Sequence, residues 1–244
     1  MKIFYIDGAK LRSFFSLLFV MTVIIGALAL DGNDETLPAS AVDEELLAHV
    51  VSSGNPANSA VSFIFMADEN TDIDVLAETM QILSDNKIRA TFFVTGKFAE
   101  NHQDILQSLV ECGHEIGVSG YEAVSPANLD YGENLVALEK ATTVIRNATG
   151  NSVHLYSPPY GALETDIYKA VNESNLKFVL AGVDSLDWDD VSTEAIISTV
   201  LTKAEKGSLI GFHPTEMTNL GMQTIINELK GLRLDFMTVS ENLG

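Results

Sequence analysis

The chain of 244 residues has one cysteine, Cys112, one tryptophan, Trp188, and only 14 lysines and arginines against 34 aspartates and glutamates. A single cysteine excludes an intramolecular disulfide framework and any zinc site built from several thiolates. The core must therefore hold the fold by apolar burial alone. The formal charge of −20 excludes partners held mainly by phosphate neutralisation, because so acidic a surface repels a polyanion at long range. Nucleic acid is not a partner on this reading. No repeat at a solenoid period is visible. What is there is apolar: 46% of residues are hydrophobic and 20% charged, too apolar for a disordered chain.

Charge is wholly missing from Ser13 to Leu30, an 18-residue run with Lys10 and Arg12 before it and Asp31, Asp34 and Glu35 after it. A run apolar on every side with a basic leading flank reads as a membrane-targeting segment whose basic end stays inside. Two forms are open. Eighteen residues lie within the ~17–25 that span a bilayer, giving a retained anchor. Ala27-Leu28-Ala29 also reads as an A-x-A cleavage site, giving a secreted protein cut after Ala29. Either way the remainder is expected outside the cytoplasm. Without residues 1–30, 11 basic and 33 acidic residues remain, so the acidity belongs to the exported part.

Residues 31–59 carry Gly, Asn, Asp, Ser and two prolines around a short amphipathic piece, Glu44 to Val51, and read as a stalk. From residue 60 to 244, β-rich runs alternate with longer helical patterns. Strands are expected at 61–66, 90–94, 115–118, 153–156, 177–181, 208–212 and 234–239. Helices are expected at 73–86, 100–112, 133–147, 164–174, 193–205 and 222–230. The strands are near-continuous apolar runs suited to burial on both faces. Alternation of β and α implies parallel strands with crossover helices. Seven strands predict an α/β fold, a distorted (β/α) barrel, closed or partly closed, with a doubly wound open sheet as the alternative. In a parallel barrel the chemistry sits on loops at the carboxyl ends of the strands, here 67–71, 95–98, 119–125, 157–161, 183–189 and 213–216.

Five stretches stand out at these places: Ala90-Thr91-Phe92-Phe93-Val94-Thr95-Gly96, Gly113-His114-Glu115-Ile116-Gly117, Pro158-Pro159-Tyr160-Gly161, Val183-Asp184-Ser185-Leu186-Asp187-Trp188 and Gly207-Ser208-Leu209-Ile210-Gly211-Phe212-His213. In this order, across residues 60–244, they resemble the polysaccharide deacetylase family with the NodB-homology domain. The amino-terminal Met1-Lys2-Ile3-Phe4-Tyr5 with the apolar run behind it, the Val183–Trp188 stretch and Gly117-Val118-Ser119-Gly120-Tyr121 are more specifically similar to its PdaB-type sporulation group. The resemblance implies removal of acetyl groups from N-acetylated glycans such as peptidoglycan. A divalent metal such as zinc, on one Asp and two His, would polarise water and the acetamide carbonyl. A second Asp would take the proton and a His protonate the leaving amine.

Set against that pattern, several positions have lost their chemistry. Ile64-Phe65-Met66-Ala67-Asp68 stands where the family has T-F-D-D-G, so Met66 replaces the base and Ala67 the metal-binding carboxylate. Methionine is at best a weak acceptor and alanine has no donor atom. Ser119 and Ala123 replace the two histidine ligands of H-T-x-x-H, and Ser157 replaces the arginine that orients the base. No metal cofactor is therefore expected. The acid side survives: Asp187 supports His213 as a remnant acid, with Trp188, Tyr160 and Pro159 as sugar-contacting wall. The expected partner is an N-acetylated glycan, with the membrane contacted through residues 13–30.

Other features have plainer readings. His114 is expected to pack. His49, His102 and His154 have no partner at ligand spacing. The run Asp68-Glu69-Asn70-Thr71-Asp72-Ile73-Asp74 lacks the glycine and glutamate of a calcium loop and reads as helix capping by Thr71 or Asp72. Asp68 or Glu69 remains open as a displaced base. Three readings of function follow: a glycan-binding protein that no longer hydrolyses, a metal-independent hydrolase, or a structural protein of the envelope.

Overall fold

The computed structural model describes residues 49–244, so the expected membrane segment at 13–30 lies outside the described residues. No helix among the described residues is long and apolar enough to cross a membrane.

The centre of the fold is β1, Ala60–Ala67, every residue of which is buried except the half-buried Met66. The sheet continues through β2 (Thr91–Val94), β3 (Glu115–Val118), β4 (Leu155–Tyr156), β5 (Lys177–Phe178), β6 (Val183–Asp184) and β7 (Leu209–Phe212), with β8 (Asp235–Phe236) paired to the start of β1. The spatial order is β5-β4-β3-β2-β1-β7-β6, and every ladder is parallel. Seven parallel strands thus form an open-sided barrel, since β5 and β6 stand at its two edges. The end of the stretch read as a stalk is bonded to this barrel. Val51 bridges to Val179, Ser53 bridges to Ser208, and Gly54 N–H donates to the Gly207 carbonyl at 2.7 Å.

Strand alternation sorts the core into two layers. Ile64, Phe93, Leu155, Val179 and Leu209 face one another inside the barrel, with Met66 packed on them. Phe63, Phe65, Ala67, Phe92, Val118, Tyr156 and Phe212 face the helices. In the outer layer Phe65 stacks on Phe92 and Phe212 with ring centroids 5.1 and 5.6 Å apart. Each such buried ring contributes about 1.5–3 kcal/mol over an exposed one. Gly117 on β3 is glycine because a Cβ there would run into the Phe93 ring and the inner layer could not close.

The helices are α1 (Ile73–Asp85), α2 (Gly96–Asn101), α3 (Gln103–Glu111), α4 (Tyr131–Thr149), α5 (Thr165–Glu173), α6 (Thr193–Lys203), α7 (Glu216–Gly231) and α8 (Val239–Leu243). Asp72 caps α1, its carboxylate accepting from the amides of Asp74 and Val75 at 2.9 and 3.2 Å. Asp130 and Glu133 close a capping box on α4, and Gly150 ends it with φ 72°.

Three expectations are corrected. The helix expected at 100–112 is two, because His102 leaves the helical region at φ −133°, ψ 51°, and Thr95 caps the first of them by accepting from the Phe98 amide at 3.1 Å. The strand expected to 239 ends at Phe236, since Thr238 starts α8 through a capping box with Glu241. Val183-Asp184, read as loop, is the edge strand β6.

Candidate functional site

The residues at the family's base, ligand, arginine and acid positions lie at the carboxyl ends of the strands. Met66 and Ala67 end β1, Ser119–Ala123 follows β3, Ser157–Gly161 follows β4, Asp187-Trp188 follows β6 and His213 follows β7. Met66 continues the inner row begun by Ile64, whereas Ala67 is buried in the helix-side core.

The surviving acid side is a built arrangement. The Asp187 side chain is fully buried beside a His213 that is 42% exposed. One carboxylate oxygen lies 2.9 Å from His213 Nδ1. The other accepts from the His213 amide at 2.8 Å and from the Thr218 hydroxyl at 2.7 Å. Thr215 lies 2.8 Å from Thr218, oxygen to oxygen, and caps α7, so the helix start fixes the carboxylate that fixes the imidazole. Burial disfavours the imidazolium, but the bond and charge of Asp187, with Asp184 and Asp68 behind it, outweigh burial and raise the His213 pKa above its ordinary value. A neutral imidazole held at Nδ1 leaves Nε2 free to exchange a proton at the open side. Trp188, 59% exposed, is steered by its indole N–H, which donates to Asp184 Oδ2 at 3.2 Å.

The opposite side has changed its chemistry. Glu69 reaches across from the β1 loop: its carboxylate accepts from the Ala123 amide at 3.0 Å and the Thr95 hydroxyl at 3.1 Å. It thereby clasps the loops after β1, β2 and β3 at the position of the second histidine ligand. Tyr160, held at φ 58°, donates its hydroxyl to the Ala123 carbonyl at 3.1 Å. Asp68 is tied to its own turn, accepting from the Asn70 amide at 2.7 Å. Ser119 and Ser157 are buried. Among the described residues no hydrogen bond joins this side to the Asp187–His213 pair; only the charge of Asp68 is felt at His213.

The donor set does not suit the divalent metal that the family resemblance implies. Met66, Ala67 and Ala123 offer no ligand atom beyond a thioether, both Glu69 oxygens are occupied by donors, and among the described residues no three His, Cys, Asp or Glu side chains converge.

Comparison with known proteins decides the family. The sequence model of polysaccharide deacetylase matches residues 62–179, and a chitooligosaccharide deacetylase of Sinorhizobium fredii is 30% identical over 149 residues, 58% of this chain and 68% of that protein. The chain belongs to the polysaccharide deacetylase family. It is also similar to YlxY of Bacillus subtilis, 26% identical over 81% of this chain, although it spans only 61% of that protein's length. A peptidoglycan-N-acetylglucosamine deacetylase of Bacillus cereus is 28% identical over 76% of this chain and 68% of its own. The fold matches the crystal structure of a CE4 family pseudoenzyme from Bacillus anthracis with a TM-score of 0.76, at 22% identity over 80% of this chain and 69% of that one.

Motif reasoning found Asp187 and His213 but missed Asp184, Thr215 and Thr218, which hold them and Trp188. The spacing Asp184-x-x-x-Trp188 and the cap Thr215-x-x-Thr218 were visible in the sequence. The path of Glu69 was not.

Proposed function

We propose that this chain binds an N-acetylated glycan of the peptidoglycan type at the carboxyl end of its barrel without metal-dependent deacetylation. The observation that carries this reading is the Glu69 clasp. Where the family gathers a metal, this chain ties a carboxylate to the Ala123 amide and the Thr95 hydroxyl. The exposed rings of Trp188 and Tyr160 support retained sugar contact, since an indole and a phenol offer apolar faces to a pyranose ring; Pro159, expected beside them, is buried. Residues 13–30 support export, with the barrel tethered at the membrane or released after Ala29, and the PdaB-like features support a place in spore-envelope construction. The test is thermal: tetra-N-acetylchitotetraose raises the melting temperature of the wild type, and Trp188→Ala removes that shift. No shift at saturating sugar would leave a purely structural role as the better reading.

A second reading has one observation behind it. His213 keeps its buried Asp187 support at 2.9 Å, so metal-independent amide hydrolysis would use His213 as acid, with Asp68 or Glu69 as base. It requires acetate release that survives chelation and is lost in Asp68→Asn or Glu69→Gln.

A further inference from the structure

A cavity of about 620 Å³ lies beside the site, between the loop after β3, the start of α4 and the end of β4. Its volume falls inside the ~300–1,000 Å³ of small-molecule sites. Its wall is mostly aliphatic and aromatic, with Val124, Leu129, Val136, Leu138 and Ile167 among the lining side chains. Val124 and Val136 are 39% and 65% exposed, so the apolar surface continues out to the mouth. A sugar, studded with hydroxyls, is a poor occupant of such a wall.

Of the buried polar residues in the lining, Asn134 is spent on the Pro126 and Leu129 carbonyls, which leaves two hydroxyls. Tyr156 is 1% exposed and Ser119 is 2% exposed, and both line the cavity. Among the described residues neither hydroxyl is bonded to a protein group, and neither is sealed away, since the one buried side-chain atom without a partner is Asn242 Oδ1; both are therefore reachable from the cavity and open to a ligand. Burial raises the Tyr156 pKa far above the ordinary phenol value, so the phenol keeps its proton and remains a donor. Charge at the rim is mainly negative, from Glu122, Asp130 and Glu133, and the Lys140 ammonium rests on the Tyr121 ring, 3.4 Å from its centroid. An anion would be repelled at this mouth, and a cation would lose its hydration in the apolar interior without a carboxylate at depth.

We propose that this cavity is a binding site for a neutral, largely apolar small molecule carrying a carbonyl acceptor, held by the Tyr156 and Ser119 hydroxyls with its hydrocarbon part against the aliphatic wall. The cavity is lined by Pro159 but by neither Trp188 nor Tyr160, and the proposal does not rest on those two rings binding glycan.

The matched pair acetophenone and ethylbenzene tests this, since they share shape and differ in the carbonyl. Ligand-detected NMR titration of the full chain is expected to show saturable binding of both, with acetophenone about three- to tenfold tighter, the range of one hydrogen bond. Tyr156→Phe should erase that preference while leaving ethylbenzene binding intact. Ala137→Phe, which places a ring in the space, should weaken both ligands at least tenfold. Ser119→Ala repeats the preference test should Tyr156→Phe not fold. Absence of saturable binding, a carbonyl preference that survives the hydroxyl variants, or binding indifferent to Ala137→Phe would overturn the assignment.

Discussion

Acid should expose a specific weakness at His114. The ring is buried, its Nδ1 accepts the Ala90 amide at 3.1 Å, and it stands edge-on to Phe92 with centroids 5.1 Å apart. Protonation would turn that acceptor into a donor aimed at an N–H. Burial, reinforced by the charge of Arg89, lowers its pKa from 6.5 to about 4. Between those values the unfolded chain binds a proton that the folded chain refuses, so stability falls as pH falls through this window and is fully present above it. From pH 7 to pH 5 the loss comes to roughly 2 kcal/mol for this one group. The perturbation is His114→Gln, which keeps an acceptor for the Ala90 amide but does not titrate. Urea unfolding followed by circular dichroism at pH 7, 6 and 5 should find the variant less stable at pH 7 yet flatter with pH, the two stability curves converging by about 2 kcal/mol at pH 5. His213, whose raised pKa acts in the opposite sense by favouring the folded state at lower pH, is common to both proteins and cancels. Parallel curves, or a His114 ring that titrates near 6.5 in the folded protein, would refute the reasoning.

Two further outcomes concern the site. Asp187→Asn removes the charge that holds His213 protonated while burial remains, so NMR titration should find the His213 pKa below its wild-type value; an unchanged titration would remove Asp187 as its support. Glu69→Ala releases the Ala123 amide, and hydrogen exchange there should quicken at least tenfold while β1 stays protected; unchanged exchange would mean that the clasp is not what orders the loop after β3.

The sequence carried the barrel further than the site. The strands were legible because parallel strands buried on both faces are continuous apolar runs, and Glu115–Val118 is observed at its expected bounds. β6 escaped because two residues, Val183-Asp184, are too short for any period, and only their pairing with Ile210 and Gly211 makes them a strand. The break at His102 also has no periodic signature; it depends on Thr95 capping a helix that starts earlier than its apolar pattern. Thr238-x-x-Glu241, by contrast, is a capping-box spacing that was there to be read. In the site, the Asp187–His213 contact followed from motif resemblance, because both residues keep the family's positions. Glu69 could not be placed that way. Its partners are one main-chain amide 54 residues on and one hydroxyl 26 residues on, and main-chain donors leave no trace in residue identity.

The central claim is that the site's donors are committed to a structural clasp and no longer support metal-dependent deacetylation. The direct measurement is acetate release from tetra-N-acetylchitotetraose by the full chain with added Zn²⁺. The account predicts release no faster than in buffer containing zinc alone, under conditions where the same sugar raises the melting temperature. Zinc-dependent turnover that disappears in His213→Ala would contradict it.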